Sequence, residues 1–124
     1  MLRILDIGIV WAMQNLQTRP AKIQAQMQHI ETMLLEMNLV ALKRPTDAAF
    51  QSGLPFCYDT MSFIEWLQWV MFPRTRELID KQLPLPTVCE IHPLAEEECK
   101  HIKQDTTRLL ASLLTLDQLF NVAH

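Results

Sequence analysis

Cys89, His92, Cys99 and His101 are four zinc-capable side chains within a short stretch, and the first two have C-x-x-H spacing. Convergence is the difficulty. On a helix starting at Pro93, Cys99 falls on the apolar stripe, while His101, two positions on, projects from another face. A cysteine on such a stripe is ordinarily a small buried hydrophobe, so neither metal nor any other cofactor is expected. The histidines, His29, His92, His101 and His124, lie outside any G-x-S-x-G nucleophile context, and no glycine-rich phosphate loop occurs. Among carboxylates, Asp59 precedes an apolar helix, Glu65 falls in its first turn, and Asp117 follows Leu116 in an apolar stretch. Buried as a pair they could do acid–base work, but capping and turn-making are the commoner jobs of such groups at helix starts. Trp66 and Trp69 are three apart and share a helix face. Such pairs usually pack in a core; exposed, they would anchor a partner, with Arg74 at the border of the patch.

These residues need elements to position them. Ile23, Met27, Ile30, Leu34, Met37 and Ala41 alternate steps of four and three, which predicts a helix from Pro20 to Leu42. Thr18 suits its cap, Pro20 its first turn, and Lys43 and Arg44 its end. Residues 45–58 have no helical period, yet Phe50, Leu54, Phe56 and Tyr58 are too apolar for a free loop, so this connector should lie across the bundle. A second helix begins near Ser62, which forms a capping box with Glu65. Ile64, Leu67, Met71 and Leu78 give one stripe and Trp66, Trp69 and Val70 a neighbouring one, so this helix should be central. Pro73 should kink it or start a fresh helix, because its ring clashes with the carbonyl of Trp69. Leu83-Pro84-Leu85-Pro86 ends it. Pro93 then opens a last helix to about Asn121, with the stripe Ala95, Cys99, Ile102, Thr106, Leu109, Leu113, Leu116 and Phe120.

The class that follows is all-α: a compact bundle of three to four helices joined by proline-rich connectors, with residues 18–124 as the domain. Two glycines among 124 residues argue against the tight hairpins of an all-β fold. Residues 1–17 read as an extension that either adds a fourth helix or forms a loose arm, or else precedes a natural start at Met13. The apolar run Ile7–Met13 after Arg3 is a weak signal-peptide likeness, broken by Asp6 and by the lack of a small-x-small cleavage site. With no apolar run near 18 residues and only Cys57, Cys89 and Cys99 as cysteines, a reducing, cytoplasmic setting away from membranes is expected. A formal net charge of −3 offers no excess cation to neutralise phosphates, so direct nucleic-acid binding is not expected.

From Leu54 to Pro93 the residues Pro55-Phe56, Asp59-Thr60-Met61, Glu65-Trp66-Leu67-Gln68-Trp69-Val70, Pro73-Arg74 and Leu83-Pro84-Leu85-Pro86 run in an order that resembles the YqcC-like family of small bacterial proteins. The resemblance extends over about residues 20–120. It implies a cytoplasmic helical bundle and an association with tRNA pseudouridine synthase C, whose gene commonly neighbours those of the family. Pseudouridine synthases use an aspartate in an Arg-x-Asp motif on a mixed α/β scaffold, and no Arg-x-Asp occurs here. The expected function is therefore a non-catalytic accessory or interaction protein for a tRNA pseudouridine synthase, with Phe56, Asp59, Glu65, Trp66, Trp69 and Arg74 as binding candidates. The alternatives are a small-ligand binder with a pocket lined by Phe56, Tyr58, Trp66 and Trp69 and, ranked last, an enzyme using Asp59 or Glu65.

Overall fold

The computed structural model describes residues 18–51 and 61–121. The expectations for residues 1–17, and for Phe56, Tyr58 and Asp59, lie outside these. Four helices and no strand occur among the described residues. Helix α1 is Arg19–Glu36. Helix α2 runs over 63–80 as Phe63–Trp66, a π turn at Leu67–Met71, and Phe72–Asp80. Helices α3 and α4 are Ile91–Cys99 and Thr107–Phe120. A short 3-10 helix, Asp47–Gln51, lies between α1 and α2.

Thr18 caps α1 as its position suggests, its Oγ1 accepting the Ala21 N–H at 3.2 Å. The stripe Ile23, Met27, Ile30 and Leu34 is buried, with Met33 beside it. α1 packs along α4, which buries Leu109, Leu113, Leu116 and Phe120, and α3 also packs on α4. α2 adds Phe63, Trp66, Leu67 and Phe72 to the same core. Removing each of these larger side chains from water is worth about 1.5–3 kcal/mol before conformational entropy is charged against it.

Three expectations are corrected. α1 stops at Glu36 rather than Leu42, because Asn38 adopts the left-handed conformation (φ 55°) and closes a Schellman turn. In that turn the Leu39 N–H donates to Leu34 O at 2.9 Å and the Asn38 N–H to Leu35 O at 3.1 Å. The last helix is two helices, separated at residues 100–106. Asp105 Oδ1 accepts both the backbone N–H and the hydroxyl of Thr107, at 3.0 and 2.6 Å, and this starts α4 afresh. The apolar period survives the break, which is why the stripe read as one helix: Ile102 packs half-buried against the core. The stripe on α2 is also different. Phe63, Trp66, Leu67, Phe72 and Thr75 are buried, whereas Ile64, Met71 and Leu78 are only half-buried.

Pro73 accounts for that last shift. Across Leu67–Met71 the backbone ladder slips to five-residue spacing, with the Phe72 N–H bonded to Leu67 O. The widened turn is where the proline's missing N–H and its ring fall, so the helix continues through it without breaking. Thr75 adds a side-chain bond back into the turn, its hydroxyl donating to Met71 O at 2.8 Å. The far end of α2 closes like that of α1, with Gln82 left-handed (φ 54°) and the Leu83 N–H on Leu78 O at 2.9 Å.

Candidate functional site

Glu65 is a structural carboxylate. Its Oε1 accepts the Ser62 N–H at 2.9 Å, while Ser62 Oγ accepts the Glu65 N–H at 3.2 Å, the reciprocal cap that the spacing implies. Trp66 is buried, 5% exposed, and stacks obliquely on Phe63 with ring centroids 6.1 Å apart. Trp69 is half-buried, and its Nε1 is enclosed with no hydrogen-bond partner among the described residues. A native structure leaves few such donors unpaired. Pro73 and Arg74 are exposed. Arg74 makes no hydrogen bond or ion pair among the described residues, in contrast to Arg76, which forms a two-pronged pair with Glu31 of α1. That pair holds the Arg76 guanidinium above its ordinary pKa, chiefly through the side-chain hydrogen bond.

The face of α2 that carries Val70, Arg74 and Leu78 forms a ridge between two clefts. One, of about 480 Å³, is bounded by Trp66, Val70, Arg74 and Leu78 on one side and by Val88, Cys89, Glu90 and Ile91 on the other, with Phe120 and Leu94 also lining it. Its neighbour, of about 450 Å³, takes in Trp69, Pro73, Glu77 and Leu83. The two tryptophans thus line separate clefts that share the Arg74 ridge and Phe50. Gln68, on the same helix, faces elsewhere and clamps the chain after α1. Its Oε1 accepts the Ala41 N–H at 2.9 Å and its Nε2 donates to Ala41 O at 2.8 Å.

The second wall of the larger cleft is irregular chain, held rigid by α4. Asp117, 4% exposed, accepts the Ile91 N–H on Oδ1 at 2.9 Å and the His92 N–H on Oδ2 at 2.8 Å, so one helix supplies the N-terminal cap of another. One turn later, Asn121 accepts the Cys89 N–H at 2.6 Å and donates to Cys89 O at 2.9 Å. Arg19 ties down the preceding residues: Nη2 bonds Pro86 O and also Phe120 O (2.6 Å), and Nε bonds Leu119 O at 3.0 Å, with the guanidinium 6.0 Å from the Phe120 ring. Sequence reasoning considered Asp117 for chemistry and missed its capping role; Asn121 and Arg19 it missed altogether. The one local signal was the polar pair at i, i+4 ending an apolar stripe.

Metal-capable groups are not gathered. Cys89 lies before α3 and Cys99 at its last residue, roughly 12 Å along the axis. His92 Nδ1 sits 2.9 Å from Glu96 Oε1, and His101 is exposed. No cluster of three or more His, Cys, Asp or Glu side chains able to hold a metal occurs among the described residues. Burial, followed by the nearby Asp117 carboxylate, pushes the Cys89 thiol up to about 12, and burial also raises that of Cys99. Neither is poised as a thiolate nucleophile. No helix among the described residues is long and apolar enough to cross a membrane.

Comparison with known proteins gives this geometry its setting. The family model described as tRNA pseudouridine synthase C matches residues 22–119. The uncharacterized protein YqcC of Escherichia coli strain K12 is 35% identical over 99 residues, which is 80% of this chain and 91% of that one. The solution NMR structure of E. coli YqcC superposes with a TM-score of 0.73 at 33% identity, covering 87% of this chain and 96% of that one. A Pectobacterium carotovorum protein named tRNA pseudouridine synthase C is 39% identical over 69 residues, 56% of this chain and 18% of that one.

Proposed function

This chain belongs to the YqcC-like family, whose model is described as tRNA pseudouridine synthase C, and from that premise we propose that it is a non-catalytic accessory protein that binds a tRNA pseudouridine synthase C. One observation carries the reading. A stretch similar to this chain occurs inside a longer protein bearing the synthase's name, where it accounts for only 18% of the length. Two units joined in one chain work at high effective concentration; where they are separate, a binding surface has to replace the covalent link. The non-catalytic half of the proposal draws support from the carboxylates. Both oxygens of Asp117 and Oε1 of Glu65 are spent on backbone caps, and the sequence has no Arg-x-Asp.

The contact face in this proposal is the α2 turn bearing Trp69, Pro73 and Arg74, with Phe56 and Asp59 assigned to it from the sequence alone. The test is titration of the chain against purified tRNA pseudouridine synthase C from the same genome, read by size-exclusion chromatography and calorimetry. A complex is expected. Arg74→Glu should leave stability within about 0.5 kcal/mol, as exposed substitutions do, yet weaken the complex at least tenfold through charge reversal at the contact. Absence of a complex rejects the accessory role. Full affinity in folded Arg74→Glu rejects the face.

A further inference from the structure

The larger cleft has features that a bundle does not need for its own stability. Its floor is apolar, with Trp66, Val70, Ile91 and Phe120, and its volume of about 480 Å³ lies within the roughly 300–1,000 Å³ of sites that take ligands. Val88 on one lip is 74% exposed, and Leu83, beside the adjoining cleft, is 48% exposed. The helical wall contains the π turn, a departure from regular geometry often found at functional sites. The opposite wall is fixed by Asp117, Asn121 and Arg19, so the cleft is pre-formed, and an occupant would not have to order it.

Charge selects the occupant. Arg74 brings a guanidinium that makes no hydrogen bond or ion pair among the described residues, its charge reaching Glu77 only as the last of the influences on that carboxyl. The nearest acid along its own helix, Glu77, is held by Lys81 at 2.7 Å, which draws its carboxyl below the ordinary range. Across the cleft stands Glu90, and the Cys89 thiol next to it stays neutral. Among the described lining residues one cation faces one acid, which does not suit a phosphate polymer, since that needs a row of cations. It suits a peptide with one carboxylate beside an apolar anchor, and Glu90 fixes its direction by repelling the acid on the other side. Resting on the partner reading above, we propose that this cleft receives a short acidic, apolar stretch of a protein partner, its apolar side chains in the pocket and its carboxylate on Arg74.

The probe is the blocked peptide acetyl-Leu-Glu-Leu-amide, titrated into the full chain beside its Gln counterpart and followed by the NMR shifts of the Trp66 indole and the Cys89 and Ile91 amides. The acidic peptide should bind about threefold more tightly than the neutral one, the size of a solvent-exposed ion pair. Arg74→Gln should abolish that preference, and Val88→Asp should weaken both peptides, the acidic one more. Equal binding of the two peptides, an acid preference that survives Arg74→Gln, absence of shifts at the cleft, or sedimentation showing the cleft closed by a second copy of the chain would each overturn the proposal. The two readings fail separately. Should the synthase bind while both peptides are indifferent to Arg74, the cleft proposal falls and the accessory role stands. If the peptides behave as expected and no synthase binds, the reverse holds.

Discussion

Replacing Asp117 by alanine is the most demanding test of how the cleft wall is built. The wild-type carboxylate makes two charge-assisted bonds, at 2.9 and 2.8 Å, to amides that begin α3. Hydrogen bonds to a charged group contribute about 1.5–3 kcal/mol each, and a buried amide left unpaired adds a desolvation penalty. Against that stands relief from burying a carboxylate that is only 4% exposed. The net loss should be about 3 kcal/mol, or roughly 10 °C in Tm for a chain of this size. Asn121→Ala removes two neutral bonds from an exposed residue and should cost only about 1 kcal/mol. Urea denaturation of both variants gives the ranking, and hydrogen exchange locates it: the Ile91 and His92 amides should lose protection in Asp117→Ala while those of α1 fall only with the global stability. If Asp117→Ala lies within 0.5 kcal/mol of wild type, or is milder than Asn121→Ala, the carboxylate is not the cap on which this wall depends.

Two further outcomes follow from the structure. Gln82→Gly should stabilise the fold by about 1 kcal/mol, because a left-handed residue with a Cβ is strained there, and Asn38→Gly should gain less, since asparagine tolerates that conformation; thermal melts would show it, and destabilisation by Gln82→Gly would contradict the Schellman assignment. The Cys89 thiol is held up to about 12 in the folded chain against an ordinary 9.0, so the folded state keeps a proton that the unfolded state releases. Stability should therefore decline as pH rises above 9 toward 12, less steeply in Cys89→Ser, and maleimide labelling of native Cys89 at pH 8 should be slow; equal slopes in the two proteins would refute the shift.

How far the sequence alone reaches here depends on the range of each interaction. The capping box of Ser62 and Glu65, the Thr18 cap and the buried stripe from Ile23 to Leu34 are local or periodic, and they were legible. The stop at Asn38 was not, and at the end of α2 the prolines gave the stop but not the left-handed Gln82, because both turns use residues other than glycine for that position. The break before α4 was masked by Ile102, which keeps the helical phase across it, although Asp105-Thr106-Thr107 carried a start signal. Asp117 on Ile91, Gln68 on Ala41 and Arg19 on Pro86 join residues 26 or more apart, and nothing in one sequence pairs them. Trp66 and Trp69 shared a helix face in the sequence reading; the slipped ladder instead puts them in adjoining clefts, with Arg74 between.

That slipped ladder has a bearing on which chain lengths the fold tolerates. A π turn holds one residue more than the α-helix it interrupts, as though an insertion had been absorbed as a bulge. Deleting any one residue from Leu67–Met71 would let α2 close into uniform helix, a gain in local regularity. Because the bulge already absorbs the extra residue, everything beyond it would keep its phase about the axis. Phe72 and Thr75 would still face the core, but Pro73 would meet a carbonyl four residues back in a regular ladder, where its ring clashes and its N–H is missing. Relatives of this chain that keep a proline at this point should therefore show no gap in the preceding five residues, even where their side chains differ.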